Sequence, residues 1–329
     1  MQTKIYPIDE NSIKKAKQLF LSSNVLAFAT ETVYGLGAVA TDSIAVKKIF
    51  EIKGRPSDNP LIAHVHKDYD LTKLVYIEQD YVQKLIDNFT PGPLTMVFKS
   101  KGVVCSEAVC GGQTLAVRIP SHKGCQSLLR EVDMPIVAPS ANISKHTSPV
   151  TAEHVYNDLN GKIEMILDGG KCSGGIESTV LDCTEKTPRI LRAGLITKEM
   201  IEQVVGSCEI AKHLESDKVR SPGVKYKHYR PRCETALYDE KDIKSVIKRY
   251  EAEQEKGKVP YIMCADYLSD NFLGKNLLLL GNSQEQIASN LYDKLLLGET
   301  KADIIIAIAM PDEKNVNLGI MNRMRKSCE

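Results

Sequence analysis

Two cations one residue apart, Lys53 and Arg55, stand in a loop punctuated by Gly54, Pro56 and Pro60, with Asp58 the nearby acid. A guanidinium fork takes two oxygens of a phosphate or carboxylate and an ammonium acts as a point charge, so the pair suits a polyphosphate; the same spacing also suits a solvated surface pair. Residues 30–37 (TETVYGLG) add the hydroxyls of Thr30, Thr32 and Tyr34, the Glu31 carboxylate and two glycines directly after a short apolar run. Open α/β sheets bind ligands at such strand ends, although a plain glycine turn reads the same way. PSAN at residues 139–142, followed by Ser144, Thr147 and Ser148, offers hydroxyl and amide groups that orient phosphate oxygens and ribose hydroxyls without adding charge. Turns and caps use the same residue types, and Thr151 is placed to cap the next helix, which leaves Ser140 and Asn142 open to either role. Residues 169–179 (GGKCSGGIEST) hold four glycines, through which a backbone could approach a ligand closely. Arg118 and Arg192 each end an apolar run (LAVR, RILR), from which a strand projects a guanidinium into a cleft or onto the surface.

Other chemistries find no support. The chain has no G-x-S-x-G elbow, no H-E-x-x-H and no Gly-Lys-Ser/Thr phosphate loop. His64, inside LIAHV, reads as a core or edge histidine, with no second His or Cys at metal-ligand spacing, so no protein-held metal is expected. Nine cysteines without a C-x-x-C pair read as reduced thiols of a cytoplasmic protein. The first twenty residues lack the apolar core of a signal peptide, and the longest apolar runs, 304–310 and 277–280, are far below a membrane span and read as buried strands. A balance of 43 Lys plus Arg against 42 Asp plus Glu gives a net charge of +1, so any attraction for anions must be local.

The elements that must position these groups alternate between helix and strand. Helical spacing is expected over residues 12–22, 43–52, 81–88 and 152–159, and strands over 25–29, 61–65, 94–98, 115–119, 136–138, 165–168 and 179–182, a mixed α/β pattern. Residues 30–37 are expected as the loop that the strand 25–29 delivers. Residues 218–232 (KVRSPGVKYKHYRPR) carry six Lys or Arg and no acid, and read as an extended linker. Beyond it, helices over 241–255, 284–297 and 318–326 and strands over 259–264, 276–280 and 302–309 predict a small Rossmann-like parallel layer sandwich. It lacks G-x-G-x-x-G, so nothing supports dinucleotide binding there.

Taken in order, ETVYGLG, KGRPSDNPL, PGPLT, TLAVRIP, PSAN, GGKCSGGIESTV and ILRAG resemble the YrdC-like family over roughly residues 5–205. With SPGVKYKHYRP at residues 221–231 and the domain that follows, the chain resembles the two-domain threonylcarbamoyl-AMP synthases over nearly its whole length. The resemblance implies a twisted mixed-sheet YrdC-like domain at 1–211, a linker or lid at 212–233 and a smaller Rossmann-like α/β/α domain at 234–329. It further implies an ATP-consuming cytoplasmic nucleotidyltransferase that joins L-threonine, bicarbonate or CO2, and ATP into threonylcarbamoyl-AMP with release of pyrophosphate. Mg²⁺ would accompany the nucleotide. The product would feed N6-threonylcarbamoyladenosine formation at tRNA position 37, through transferase partner proteins and with no stable nucleic-acid binding required of this chain.

By match to the family's motifs, Thr32, His64, Arg118, Ala138 and Ser178 would hold threonine. Lys53, Arg55, Asn59, Thr114, Ser140, Asn142, Ser148 and Arg192 would hold ATP, with Lys53 and Arg55 as the catalytic cations and His228 and Tyr229 closing over the site. Ala29, Lys145 and Ala193 depart from the family's usual proline, glycine and proline, and none removes a side chain assigned to ligand contact. Two other readings of the fold exist. One is an RNA-binding module, which would bind without ATP or threonine. The other is the carbamoyl-transfer domain of hydrogenase maturation proteins, which resembles this one but comes with C-x-x-C pairs and an acylphosphatase domain that this chain lacks.

Overall fold

Apolar runs too short for helices, each bracketed by turn residues, become the strands of two sheets. The computed structural model describes residues 2–211 and 229–328. Most of the expected lid, His228 included, lies outside the described residues; Tyr229 and residues 230–233 lie within them.

The larger sheet is twisted and mixed. Its order is Lys4–Pro7, Met165–Asp168, Leu26–Phe28, Gly35–Val39, Ile136–Val137, Ile62–His64, Thr114–Arg118, Leu94–Ser100, Thr179–Asp182, Arg189–Arg192 and Glu209–Ile210, with Val75–Tyr76 added against Leu94–Ser100. Helices Glu10–Leu21 and Lys123–Val132 cover one face, where Phe20, Leu128 and Leu129 pack on Phe28, Ile136 and Leu167. Each such side chain contributes roughly 1.5–3 kcal/mol on burial. The helix Ala152–Leu159 begins at the expected cap, Thr151, whose Oγ1 accepts from the His154 amide at 3.3 Å.

Residues 30–37 differ from expectation, because the loop ends early and Gly35 already starts a strand, antiparallel to Leu26–Phe28. The reason is packing. A Cβ on Gly37 would come within 2.6 Å of Phe28 and 2.9 Å of Ile136, so the second glycine of ETVYGLG admits the neighbouring strands' side chains and leaves the motif's loop chemistry to residues 30–34. The amphipathic helix Lys123–Val132 was not anticipated either.

The second sheet is four-stranded and wholly parallel, in the order Glu234–Tyr238, Ile304–Ile308, Pro260–Cys264, Leu277–Leu279. Its alternation with helices follows the sequence pattern, apart from Glu234–Tyr238, which that pattern missed. Helices Gln284–Glu299 and Val316–Cys328 turn their apolar faces towards the first domain, and one hydrophobic cluster runs through both, including Val150 and Ile176 with Ala288, Leu291 and Ile320.

Candidate active site

Strand register builds the site. Parallel pairing of Ile62–His64 with Thr114–Arg118 sets His64 opposite Arg118, and antiparallel pairing with Leu94–Ser100 sets Thr95 opposite the same arginine. Thr95 in turn faces Val180, two residues after Ser178 in the chain. On the other flank the Ala138 amide bonds to the Ile62 carbonyl at 3.0 Å, and Gly35 bridges Ser140. Groups far apart in sequence thus border one partly open cavity. Thr32, Arg55, His64, Arg118, Ala138, Ser140, Ser178, Arg192 and Tyr229 all line it.

At one end stands Arg118. Its Nη1 donates to Thr32 Oγ1 at 2.7 Å, and its Nη2 forms an ion pair with Glu31 Oε1 at 2.7 Å, which sets the guanidinium in the cavity wall. Burial works against the charge of Glu31, but Arg118 outweighs it and holds the carboxyl below the usual range. His64 places Nδ1 3.0 Å from the Ile62 carbonyl, which can only accept, so Nδ1 carries the proton and Nε2 is the acceptor. Burial, reinforced by Arg118, pushes the His64 pKa down to about 3, and the ring is neutral at physiological pH. A buried cation beside a hydroxyl and a neutral imidazole suits the carboxylate and side chain of a small amino acid.

Arg55 and Arg192 supply the remaining positive charge of the wall. Arg55 Nη2 donates to the Asn59 carbonyl at 3.3 Å, and burial lowers its pKa to about 10, still above neutrality. Arg192 donates to the Ser178 carbonyl through Nε at 3.1 Å and Nη2 at 3.0 Å, and from Nη2 to Ser178 Oγ at 3.2 Å. Ser178 Oγ also lies 2.7 Å from Thr95 Oγ1.

The other described residues assigned from sequence stand outside the cavity lining. Lys53 is fully buried, and its Nζ donates to the carbonyls of Ser140 and Asn142, both at 2.5 Å, so its ammonium fastens the 140–142 loop. Burial, with Arg55 nearby, pushes its pKa well below that of a free lysine. Asn142 Nδ2 donates to the Ile143 and His146 carbonyls, both at 2.8 Å. Ser148 donates to Glu177 Oε1 at 2.6 Å. Asn59 is buried with neither side-chain polar atom partnered. Thr114 starts the strand that Arg118 ends, about 13 Å away at the ordinary strand rise. The Tyr34 hydroxyl lies 3.0 Å from Asp168 Oδ1 and 2.8 Å from the Gly170 carbonyl, sharing its one proton between them, which pins the loop rather than lining the cavity.

Glu177 lines the cavity and went unassigned in the sequence reading. The available signal was a lone acid between the apolar Ile176 and Ser178 in a loop otherwise short of charge. The glycines of that loop also serve another purpose than the one expected. A Cβ on Gly175 would come within 2.3 Å of the Ala288 carbonyl, so this glycine admits the helix Gln284–Glu299 of the second domain.

Comparison with known proteins places the chain in a family. A family model described as telomere recombination matches residues 18–194, and one described as threonylcarbamoyl-AMP synthase, C-terminal domain, matches residues 196–328. The chain is 41% identical to the threonylcarbamoyl-AMP synthase of Bacillus subtilis (strain 168), over 97% of this chain and 93% of the relative. It is 40% identical to that of Pyrococcus abyssi, over 97% and 95%. A solved structure of P. abyssi Sua5 complexed with L-threonine superposes with a TM-score of 0.91 at 38% identity, covering 99% of this chain and 98% of the other. With both domains matched and the cavity built at the strand ends of the first, the chain belongs to the two-domain threonylcarbamoyl-AMP synthase family.

Proposed function

We propose that this protein makes L-threonylcarbamoyladenylate from L-threonine, bicarbonate or CO2, and ATP, releasing pyrophosphate, as the first step of tRNA N6-threonylcarbamoyladenosine formation. The observation that carries this reading is the convergence of Arg55, Arg118 and Arg192 with the hydroxyls of Thr32, Ser140 and Ser178 on one cavity. The threonine amine adds to CO2, losing a proton to form a carbamate. A carbamate oxygen then bonds to the α-phosphorus of ATP, and the bond to the pyrophosphate oxygen breaks, which makes the enzyme a nucleotidyltransferase. Such a transfer asks for positioning and charge neutralisation more than for a covalent nucleophile.

In this reading Arg118 and Thr32 take the threonine carboxylate and hydroxyl, with His64, Ala138 and Ser178 around them. Arg55, Ser140 and Arg192 face the nucleotide. Lys53 and Asn142 hold the 140–142 loop, Ser148 holds Glu177, and Asn59 and Thr114 stand farther out on the ATP side. The two carboxylates beside the cavity, Glu31 and Glu177, are already paired with arginines. That pairing supports assigning Mg²⁺ to the nucleotide's own phosphates, where it would neutralise charge. Because the larger sheet takes its last strand from Glu209–Ile210, we divide the chain at 211, with a lid to 233 and the second domain beyond. An enzyme with this role would work in the cytoplasm and hand its product to a transferase acting on tRNA.

Purified protein is expected to release pyrophosphate from ATP only when threonine and bicarbonate are both supplied. Equal release without threonine overturns the reading.

A further inference from the structure

Behind the cavity wall formed by Ser178 and Arg192 lies a buried polar cluster to which both domains contribute. Arg323, on the helix Val316–Cys328, is fully buried, with Nε donating to Glu177 Oε2 at 3.1 Å. Its Nη1 donates to the Ala193 carbonyl at 2.5 Å and its Nη2 to the Glu177 carbonyl at 3.5 Å. Glu177 immediately precedes Ser178, and Ala193 immediately follows Arg192. One guanidinium therefore ties together the two backbone segments whose side chains meet in the Ser178–Arg192 hydrogen bonds. Tyr292, on the helix Gln284–Glu299, donates its hydroxyl to Glu177 Oε2 at 2.9 Å, and its ring stacks on that of Tyr229 at 5.4 Å between centroids.

A cluster of this kind has a bland use, the joining of two domains. Three features exceed it. Glu177 itself lines the cavity, and an unpaired carboxylate there would repel the anionic groups that the flanking arginines attract. Burial opposes its charge, yet Arg323 and Arg192 hold its pKa down at about 2, so it is an ionised and fully countered part of the wall. The backbone also fits the approach. A Cβ on Gly194 would come within 2.5 Å of the Thr179 amide, and one on Gly319 within 3.2 Å of Gly194, so the segment after Arg192 is packed against both Thr179 and the helix that carries Arg323.

We infer that Arg323 and Tyr292 of the second domain are positioning residues for the reaction, acting through Glu177 and Ala193 to hold Ser178 and Arg192 in the wall of the cavity. This rests on the synthase reading above. The role asks for the arginine fork and not only for a positive charge, since a single ammonium cannot reach a carboxylate and two carbonyls in the same geometry.

The test compares the full chain with its Arg323→Lys and Tyr292→Phe variants, measuring threonine-dependent pyrophosphate release over ranges of threonine and ATP, together with melting temperature. Arg323→Lys keeps the charge and loses the fork, so the KM for threonine or ATP should rise about tenfold while kcat stays within about threefold. Tyr292→Phe removes one hydroxyl and should raise KM about threefold at nearly unchanged melting temperature. Arg323→Lys with wild-type KM overturns the inference, because a domain-joining charge alone would then suffice. If that variant fails to fold, Tyr292→Phe decides in the same way, a wild-type KM overturning the inference and a raised one supporting it. Failure of the synthase reading is read separately, on the wild type, as pyrophosphate release that ignores threonine.

Discussion

Two buried arginine–glutamate pairs flank the cavity, and they are built in opposite senses. At one end Arg118 faces the cavity and Glu31 stands behind it; at the other Glu177 faces the cavity and Arg323 stands behind. The first pair arises wholly inside the larger domain and turns the cation of Arg118 towards the cavity. The second joins the two domains, and its carboxylate is occupied by Ser148, Tyr292 and Arg323. The same two side-chain types can thus offer a charge to a ligand or silence one, depending on which member is turned inwards and how fully its bonds are used.

That contrast is broken most severely at Arg118. Arg118→Met removes the cation offered to the threonine carboxylate and strands Glu31, so kcat/KM for threonine should fall by about a thousandfold, the size expected for losing one partner of a buried charge pair. A fall of less than tenfold in pyrophosphate release would show that the outward-offered charge of Arg118 is not what binds threonine.

The next test turns on the acid behind it. Glu31→Gln leaves Arg118 without its counter-charge, at a stability cost of about 3 kcal/mol. Threonine brings a carboxylate of its own to the same guanidinium, so saturating threonine should raise the melting temperature of this variant more than that of the wild type. An equal or smaller rise would remove the proposed exchange of partners.

The smallest effect concerns the edge of the domain contact that delivers Arg323. His146 lies 2.8 Å from Asp158 Oδ2 and 2.8 Å from Glu299 Oε2, while Arg232 Nη2 lies 2.8 Å from Asp158 Oδ1. Burial disfavours the charged ring, but the hydrogen bonds to Asp158 and Glu299 outweigh it and raise the His146 pKa from 6.5 to about 9. A histidine raised on folding contributes stability that is fully present below its unfolded pKa and is lost as pH rises through the folded value. The wild type should therefore lose a few degrees of melting temperature between about pH 6.5 and 9 that His146→Asn does not lose. Parallel pH profiles for the two proteins would remove His146 from the contact.

Much of this was legible in the sequence, for definite reasons. The strands Met165–Asp168 and Thr179–Asp182 and the helix Ala152–Leu159 fall on the expected residues because apolar period and cap chemistry coincide there. The groups around Arg118 announced themselves as polar residues placed just after apolar runs. What pattern alone could not give is pairing, since His64 and Arg118 become neighbours only through a parallel register between distant strands. Nor does a K-x-R spacing say that Lys53 turns inwards to two carbonyls while Arg55 reaches the cavity. Arg323 did leave a trace: it sits between Ile320 and Met324 on the buried face of its helix, and a charge at such a position needs a buried partner. The partner, Glu177, was equally readable as a lone acid in a glycine loop, but nothing local connects the two.

The row of register-matched strands also bears on how the gene can change. The segments between these strands can lengthen or shorten at small entropic cost, because only their ends are fixed. A single-residue deletion within Ile62–His64 or Thr114–Arg118 would instead turn His64 or Arg118 to the opposite face of the sheet. Variation in length should therefore gather in the connections and stop at the strand ends, where one residue more or less erases the site while leaving the composition of the chain almost untouched.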